Sequence, residues 1–218
     1  MSKRQRDIFL DEEGDNWLKR NLDALETRDF RCDDDVVRSL DSYVNRSTGS
    51  KVRYLEIGCG SGHRLKWLSD NFNYMVSGIE PSSKSVQFAE SLGLSVVRGT
   101  AESLPWPKNS FDVVCFGFCL YLCDRSDLFR IAAEADRVLS EDGWLLVHDF
   151  FSPAHRRRDY SHRPGVYSWK MDYSSLFRWH PAYVMVHQAV TAHGTAHFSD
   201  DPDSWVAISV LRKHSSGI

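Results

Sequence analysis

Between residues 52 and 149 short apolar runs alternate with longer stretches whose hydrophobic positions recur every three to four residues. The short runs read as strands and the longer pattern as amphipathic helices. Strands are expected at 52–57, 74–79, 94–97, 111–116 and 144–147, with helices at 63–72, about 82–92 and about 124–139. The last helix turns Leu128, Ile131, Ala132, Ala135 and Leu139 toward the core. Residues 111–116 are nearly all apolar, as befits a central strand covered on both faces. Such alternation implies a parallel sheet with right-handed crossovers.

Two helices precede this region. One covers 15–30, with Trp17, Leu18, Leu22 and Leu25 near one face, and one covers about 34–43, where the acids at 33–35 suit a helix N-terminus. Residues 1–14 are expected to be loosely attached, 47–50 to form a loop, and Asp142-Gly143 a turn. After Asp149 the rhythm breaks. Residues 150–181, with Pro153, Pro164 and Pro181, are expected mainly as loop, and strands at about 182–190 and 205–211 finish as a hairpin-like sheet edge.

The most informative segment is Tyr54-Leu-Glu-Ile-Gly-Cys-Gly-Ser-Gly62, where an apolar strand runs into three alternating glycines and then a helix. Backbone approaches a ligand closely only where side chains are absent, and the free N–H groups opening the next helix can hold a negative group. The spacing is not that of the dinucleotide fingerprint, because His63 stands where its third glycine belongs.

Bulk properties narrow the class. The chain has 218 residues, 42% hydrophobic and 26% charged, ordinary for one globular domain. A net charge of −3 favours neither nucleic acid nor anionic membranes, so no nucleic-acid or membrane partner is expected. The charged N-terminus leads to no apolar signal-peptide core, and no apolar run reaches the ~20 residues that span a bilayer. Five cysteines, with no Cys-x-x-Cys pair, fit a reducing, cytoplasmic setting.

Glu56, Gly58, Cys59, Gly60 and Gly62 together resemble motif I of the class I S-adenosylmethionine-dependent methyltransferases, type 11 subgroup. Further segments follow in that family's order: Glu80-Pro81 at the end of the second strand, Gly99-Thr100-Ala101-Glu102 before Leu104-Pro-Trp-Pro, and the Phe-Asp-Val-Val strand at 111–114. The Arg137-Val-Leu-Ser-Glu-Asp-Gly143 turn matches as well. The resemblance covers 100 to 110 residues well and the flanks poorly. It implies a doubly wound, Rossmann-like α/β fold whose seven-stranded sheet is mostly parallel with an antiparallel C-terminal strand. Residues 1–50 would form a helical lid within the same domain, and 51–218 the methyltransferase domain proper.

The resemblance implies that S-adenosylmethionine is the cofactor, that Glu80 accepts from its ribose hydroxyls and that the loop at Thr100, Ala101 and Glu102 reads its adenine. Many relatives carry Asp at the place of Thr100. Phe116 and Gly117 would border the methionine part, and Trp17 and Asn21 would fold over the cofactor. A general base or a metal is needed for a hydroxyl acceptor but not for an amine. The candidate catalytic residues are Asp149 and His148, only one of which can face the cleft because strand side chains alternate, and Tyr121, which stands where relatives often carry His. Asp149 is the stronger candidate of the strand pair.

The expected reaction is methyl transfer to O or N of a small-molecule acceptor. The segment from His162 to Tyr173 is not shared across the family and its aromatic and polar groups suit a sugar or nucleotide-linked sugar. The cluster Arg156–Arg158 suits a phosphate or carboxylate on that acceptor. No metal is expected: Cys115, Cys119 and Cys123 start in a strand, and His193 and His197 lack the Glu of a zinc-protease helix. Rival readings are a Rossmann oxidoreductase and a non-catalytic module that binds the cofactor for regulation. Neither acceptor nor oligomeric state is legible.

Overall fold

The computed structural model describes residues 3–44 and 51–215; the loop expected at 47–50 lies outside the described residues. The strands are β1 (Arg53–Ile57), β2 (Met75–Glu80), β3 (Ser95–Arg98), β4 (Phe111–Gly117), β5 (Leu139–Phe150), β6 (Arg156–Asp159), β7 (Tyr167–Lys170), β8 (Tyr183–Ala192) and β9 (Trp205–Lys213). Seven of them make one sheet in the order β3-β2-β1-β4-β5-β9-β8. All pairs from β3 to β5 are parallel, and β9 runs antiparallel to both β5 and β8. The fold is therefore the doubly wound α/β sheet, with the order reversing between β1 and β4, where such sheets open a crevice at their carboxyl ends.

Eight α-helices accompany the strands among the described residues: α1 (Gln5–Ile8), α2 (Gly14–Glu26), α3 (Phe30–Asp33), α4 (Asp35–Tyr43), α5 (His63–Phe72), α6 (Ser83–Ser91), α7 (Leu128–Val138) and α8 (Ser175–Arg178). The central strands divide their side chains between two apolar layers. Val114 and Phe116 of β4 join Leu145 and Val147 of β5 under α7, whereas Val113 and Cys115 join Leu146 beneath α4, α5 and α6. Burial on both faces explains why these strands show no polar alternation. At Asp142, φ 55, β5 bulges against β4 where the sequence predicts a turn.

Three expectations are corrected. Residues 5–26 are not loosely attached at their start: α1 passes through a π-helical turn (Phe9–Glu13) into α2 as one run of helix. Polar and apolar anchors hold it. The Gln5 amide donates to the Leu122 carbonyl (2.8 Å) and its oxygen accepts from Tyr167 N (2.7 Å), while Phe9 packs with Tyr160 and Val166. Farther along, Asp15 accepts from Lys84 N (3.1 Å) and Ser82 Oγ (2.7 Å) at the start of α6. The helix predicted to reach residue 30 stops at Glu26, and Asp29 caps the separate α3 by accepting from Arg31 N and Cys32 N.

Residues 150–181 are also more ordered than a loop. β6 and β7 form a small antiparallel hairpin around Gly165, φ 79. Arg157 lies 4.6 Å from the Tyr167 ring centroid and 6.0 Å from that of Trp169, a cross-strand cation–π contact.

One buried charge cluster joins the N-terminal helices to the sheet. Asp34 caps α4 by accepting from Val37 N (3.0 Å) and accepts again from Arg64 Nε and Nη2 (3.1 and 3.0 Å). Arg28 approaches the same carboxylate at 3.3 Å, and Arg64 Nη1 donates to Glu56 on β1. Burial opposes ionisation of Asp34, but Arg64 and Arg28 outweigh it and hold its carboxyl at about 2. The folded value lies below the ordinary 3.8, so this stabilisation is present above pH 4 and lost as pH falls through about 2. Asp34→Asn keeps the cap but removes the charge facing Arg64. It should cost about 3–5 kcal/mol in urea unfolding at pH 7, with the gap to wild type closing toward pH 2; a loss below about 1 kcal/mol would show that Glu56 alone satisfies Arg64.

Candidate functional site

A cleft of about 1040 Å³ opens at the carboxyl ends of β1, β2, β4 and β5 and is bordered by α2 and by the loop after β8. Its floor is the bend after β1. Gly58 takes φ 75, and a Cβ there would sit 2.5 Å from Cys119 Cβ, so only glycine lets this bend pass under the β4 turn. Gly60, φ 54, faces the cleft, with Trp17 Cζ3 of α2 the nearest atom at 3.6 Å from a built Cβ.

Glu80 stands beside this bend. Its carboxylate accepts from Gly60 N and Ser82 N, each at 3.0 Å and each on a different oxygen. A carboxylate offers about four lone-pair positions, so each oxygen retains one. Burial pushes the Glu80 carboxyl up to about 7 against the pull of those two N–H groups. Glu56 lines the floor with Oε1 on Arg64, while its buried Oε2 has no hydrogen-bond partner. Burial raises its carboxyl as well, although Arg64 opposes the shift.

On the other flank, Pro81, Thr100, Ala101 and Glu102 line the cleft. Thr100 Oγ1 donates to Glu102 Oε1 (2.6 Å), and Arg6 Nη1 of α1 reaches the same oxygen at 3.0 Å. Trp17, Asn21, Cys59, Gly117, Tyr121 and His148 line it too. A Cβ on Gly117 would fall 2.3 Å from Glu56 Oε1, so this glycine makes room for the Arg64–Glu56 pair.

Three sequence-predicted positions lie elsewhere. Gly62, φ 80, precedes α5 and presses on α6, where a Cβ would meet Leu94 and Ala89 at 2.7 and 3.0 Å; its role there is helix packing. Phe116 is wholly buried in the layer under α7, because its strand neighbours Gly117 and Cys115 take the opposite face. Asp149, the favoured base, is turned away from the cleft. Its carboxylate accepts from Leu120 N (2.7 Å) and Tyr121 N (3.3 Å) and secures the turn after β4. Strand alternation thus gives the cleft position to His148. That ring is buried with Nδ1 unpartnered and Nε2 3.7 Å from Asp35, and burial pushes it down to about 3, with Asp34 pulling the other way.

The acceptor-side expectations shift in the same manner. Tyr167 and Trp169 stack with Arg157, and Tyr173 is buried against Arg125. Of the segment 162–173, His162 and Ser168 line the cleft. Within the arginine cluster only Arg158 does so, and it pairs with Asp203, as does Arg156. Residues that sequence reasoning missed are Arg6, Phe150 and His193, all on the cleft wall, where Phe118 of the expected 116–121 segment also lies. His193 follows β8 and reaches the cleft because β9 lies between β8 and β5, pairing Val206 with both Phe150 and Thr191. No local spacing encodes that.

Residues 55–147 match the family model described as a methyltransferase domain. By sequence, an uncharacterized methyltransferase, YcgJ of Bacillus subtilis, is 36% identical over 109 residues, covering 46% of this chain and 42% of that protein. The chain spans less than half the length of the curated relatives it matches. The crystal structure of YcgJ superposes with TM-score 0.61 at 19% identity, over 83% of this chain and 99% of that one. A Burkholderia thailandensis 1,6-didemethyltoxoflavin-N1-methyltransferase, solved with bound 1,6-didemethyltoxoflavin and S-adenosylhomocysteine, gives 0.68 at 14% over 99% and 92%. A putative methyltransferase of Haloferax volcanii, solved with the Trm112 activator, gives 0.70 at 18% over 96% and 99%. Among the described residues no helix is long and apolar enough to cross a membrane.

The burial of Asp149 has a measurable consequence. Burial lifts its carboxyl to about 7 against three N–H donors, from an ordinary 3.8. A raised acid stabilises the fold fully below pH 4, and that contribution is lost as pH rises through 7. Thermal stability of the unliganded protein should therefore fall between about pH 4 and 7 and level off above. Asp149→Asn should make the fall about half as steep, Glu80 carrying the rest; an unaltered slope would mean that Asp149 ionises freely in the folded chain.

Proposed function

We propose that the chain, whose residues 55–147 match a methyltransferase domain, is a class I S-adenosylmethionine-dependent methyltransferase of type 11, and that it transfers a methyl group from S-adenosylmethionine to O or N of a small-molecule acceptor. The observation that carries this reading is the pair of spare acceptor positions on Glu80, beside a side-chain-free bend. Vicinal ribose hydroxyls fit that pair, and the partnerless Glu56 Oε2 fits the ammonium of a methionine moiety. Thr100, Ala101 and Glu102 would border the adenine, with Trp17 and Asn21 closing from α2.

When bound, the cofactor supplies a methyl carbon already activated by a sulfonium centre. The protein's work is then to position the acceptor and to exclude water from a cleft in which positive charge is lost. Trp17 from the roof and Gly60 from the floor come close enough to shut one side of it. The chain's five cysteines are all free, which accords with a cytoplasmic setting.

Isothermal titration with S-adenosylmethionine and S-adenosylhomocysteine at neutral pH tests the reading. Wild type should bind both, and Glu80→Ala should weaken binding about 10- to 100-fold, as expected for losing hydrogen bonds to a charged acceptor. Absence of binding by folded wild type would overturn it, and binding without methyl transfer to any of a metabolite panel would favour the regulatory module instead.

A further inference from the structure

The acceptor half of the cleft is walled by rings. Phe118 touches four others: His148 at 4.8 Å between centroids, Phe150 at 5.1 Å, His193 at 5.5 Å and Tyr121 at 6.1 Å. Phe150 also packs on Tyr121 (5.0 Å) and His193 (5.3 Å), so five rings from the turn after β4, the end of β5 and the loop after β8 form one continuous surface. All five line the cleft. Phe118 holds φ 61, a conformation that costs a bulky residue about 1–3 kcal/mol and that collects at ligand sites. Its N–H is fixed to the His148 carbonyl at 2.9 Å.

The two imidazoles of this wall differ in access. His148 is buried, whereas His193 is exposed, with no hydrogen bond to its ring from any described residue. The charged groups acting on His193 are Lys170 of β7 and Arg28 of the connection between α2 and α3, and His148 is its titratable neighbour in the wall. Partial desolvation of the ring against the wall first, then Lys170 and Arg28, hold it below the ordinary 6.5, so its neutral, proton-accepting form prevails at pH 7. Asp149, next to His148 in the chain, is committed to the Leu120–Tyr121 turn and cannot compete.

Resting on the methyltransferase reading, we propose that the acceptor is a planar aromatic hydroxyl compound whose ring lies against Phe118 and Phe150, and that His193 is the base for its hydroxyl. As the oxygen lone pair forms the new bond to the methyl carbon, the carbon–sulfur pair returns to sulfur. The hydroxyl proton passes to an imidazole nitrogen of His193, and the sulfonium charge is thereby replaced by an imidazolium that releases its proton to solvent. A flat π-face gains edge and stacking contacts from such a wall that a saturated ring of equal size does not.

The probe is 2-naphthol, titrated by calorimetry into protein already loaded with S-adenosylhomocysteine, with decahydro-2-naphthol as the saturated control. The aromatic alcohol should bind about tenfold tighter, and Phe150→Leu should remove most of that preference while S-adenosylhomocysteine affinity stays within about twofold. His193→Gln should retain 2-naphthol binding but lose about 10²–10⁴-fold in methylation rate at pH 7. That loss should shrink toward pH 10, where a phenolic hydroxyl ionises unaided, and wild type should already be on its plateau at pH 7. Equal or tighter binding of the saturated alcohol, no binding of 2-naphthol, preferential transfer to 2-naphthylamine, or a His193→Gln profile parallel to wild type would each overturn the proposal. Wild type that fails to take up S-adenosylhomocysteine would instead overturn the parent reading.

Discussion

Arg64 is the pivot of the molecule. It projects from the first turn of α5 into the protein interior, where an isolated guanidinium would be prohibitively desolvated. It survives there because Asp34 arrives from the N-terminal helices and Glu56 from β1, one on each side. The two carboxylates in turn need the arginine, and Arg28 adds a second positive group near Asp34. Three separate stretches of chain are thus obliged to meet at one point, directly beneath the glycine bend. Gly117 completes the arrangement, since any side chain there would occupy the position of Glu56 Oε1.

That junction explains how a flexible-looking bend can act as a binding floor. Glycine at 58 and 60 gives a conformation that other residues avoid, but freedom alone would leave it disordered. Gly58 N is tied to the Ile79 carbonyl at 2.9 Å, and Gly60 N to Glu80 at 3.0 Å. The acid at the end of β2 therefore holds the floor in place and still has lone pairs to offer outward. Its raised carboxyl is the electrostatic sign of that double duty: burial makes the charge expensive until donors from both sides surround it.

The sequence was most legible where local physics and tertiary structure ask for the same thing. Apolar strands at 111–116 and 144–147, the helix at 63–72 and the glycine spacing all follow from burial on two faces and a turn between. Legibility failed where the deciding partner is distant. Residues 5–14 look polar, yet Gln5 is buried by the Leu122 and Tyr167 backbone far along the chain. The 156–170 hairpin depends on Arg157 meeting two rings across a turn. In β5, alternation told that one of His148 and Asp149 faces inward, but only the turn at Leu120–Tyr121, with two N–H groups to satisfy, determined which.

The same long-range logic couples the two halves of the cleft. Arg6 of α1 grips Glu102 on one flank of the cleft, and one residue earlier Gln5 grips Tyr167, the start of the strand that carries Lys170 toward Phe150. Eight residues on from Phe9, Trp17 faces the glycine bend, and past the end of α2 Arg28 reaches Asp34. A single stretch of N-terminal helix thus touches the Thr100–Glu102 loop, the glycine bend and the hairpin beside the aromatic wall, and leads into the buried charge cluster. Any ligand that orders that helix on one flank must stiffen the other, because the contacts share one rigid rod and not a chain of loops.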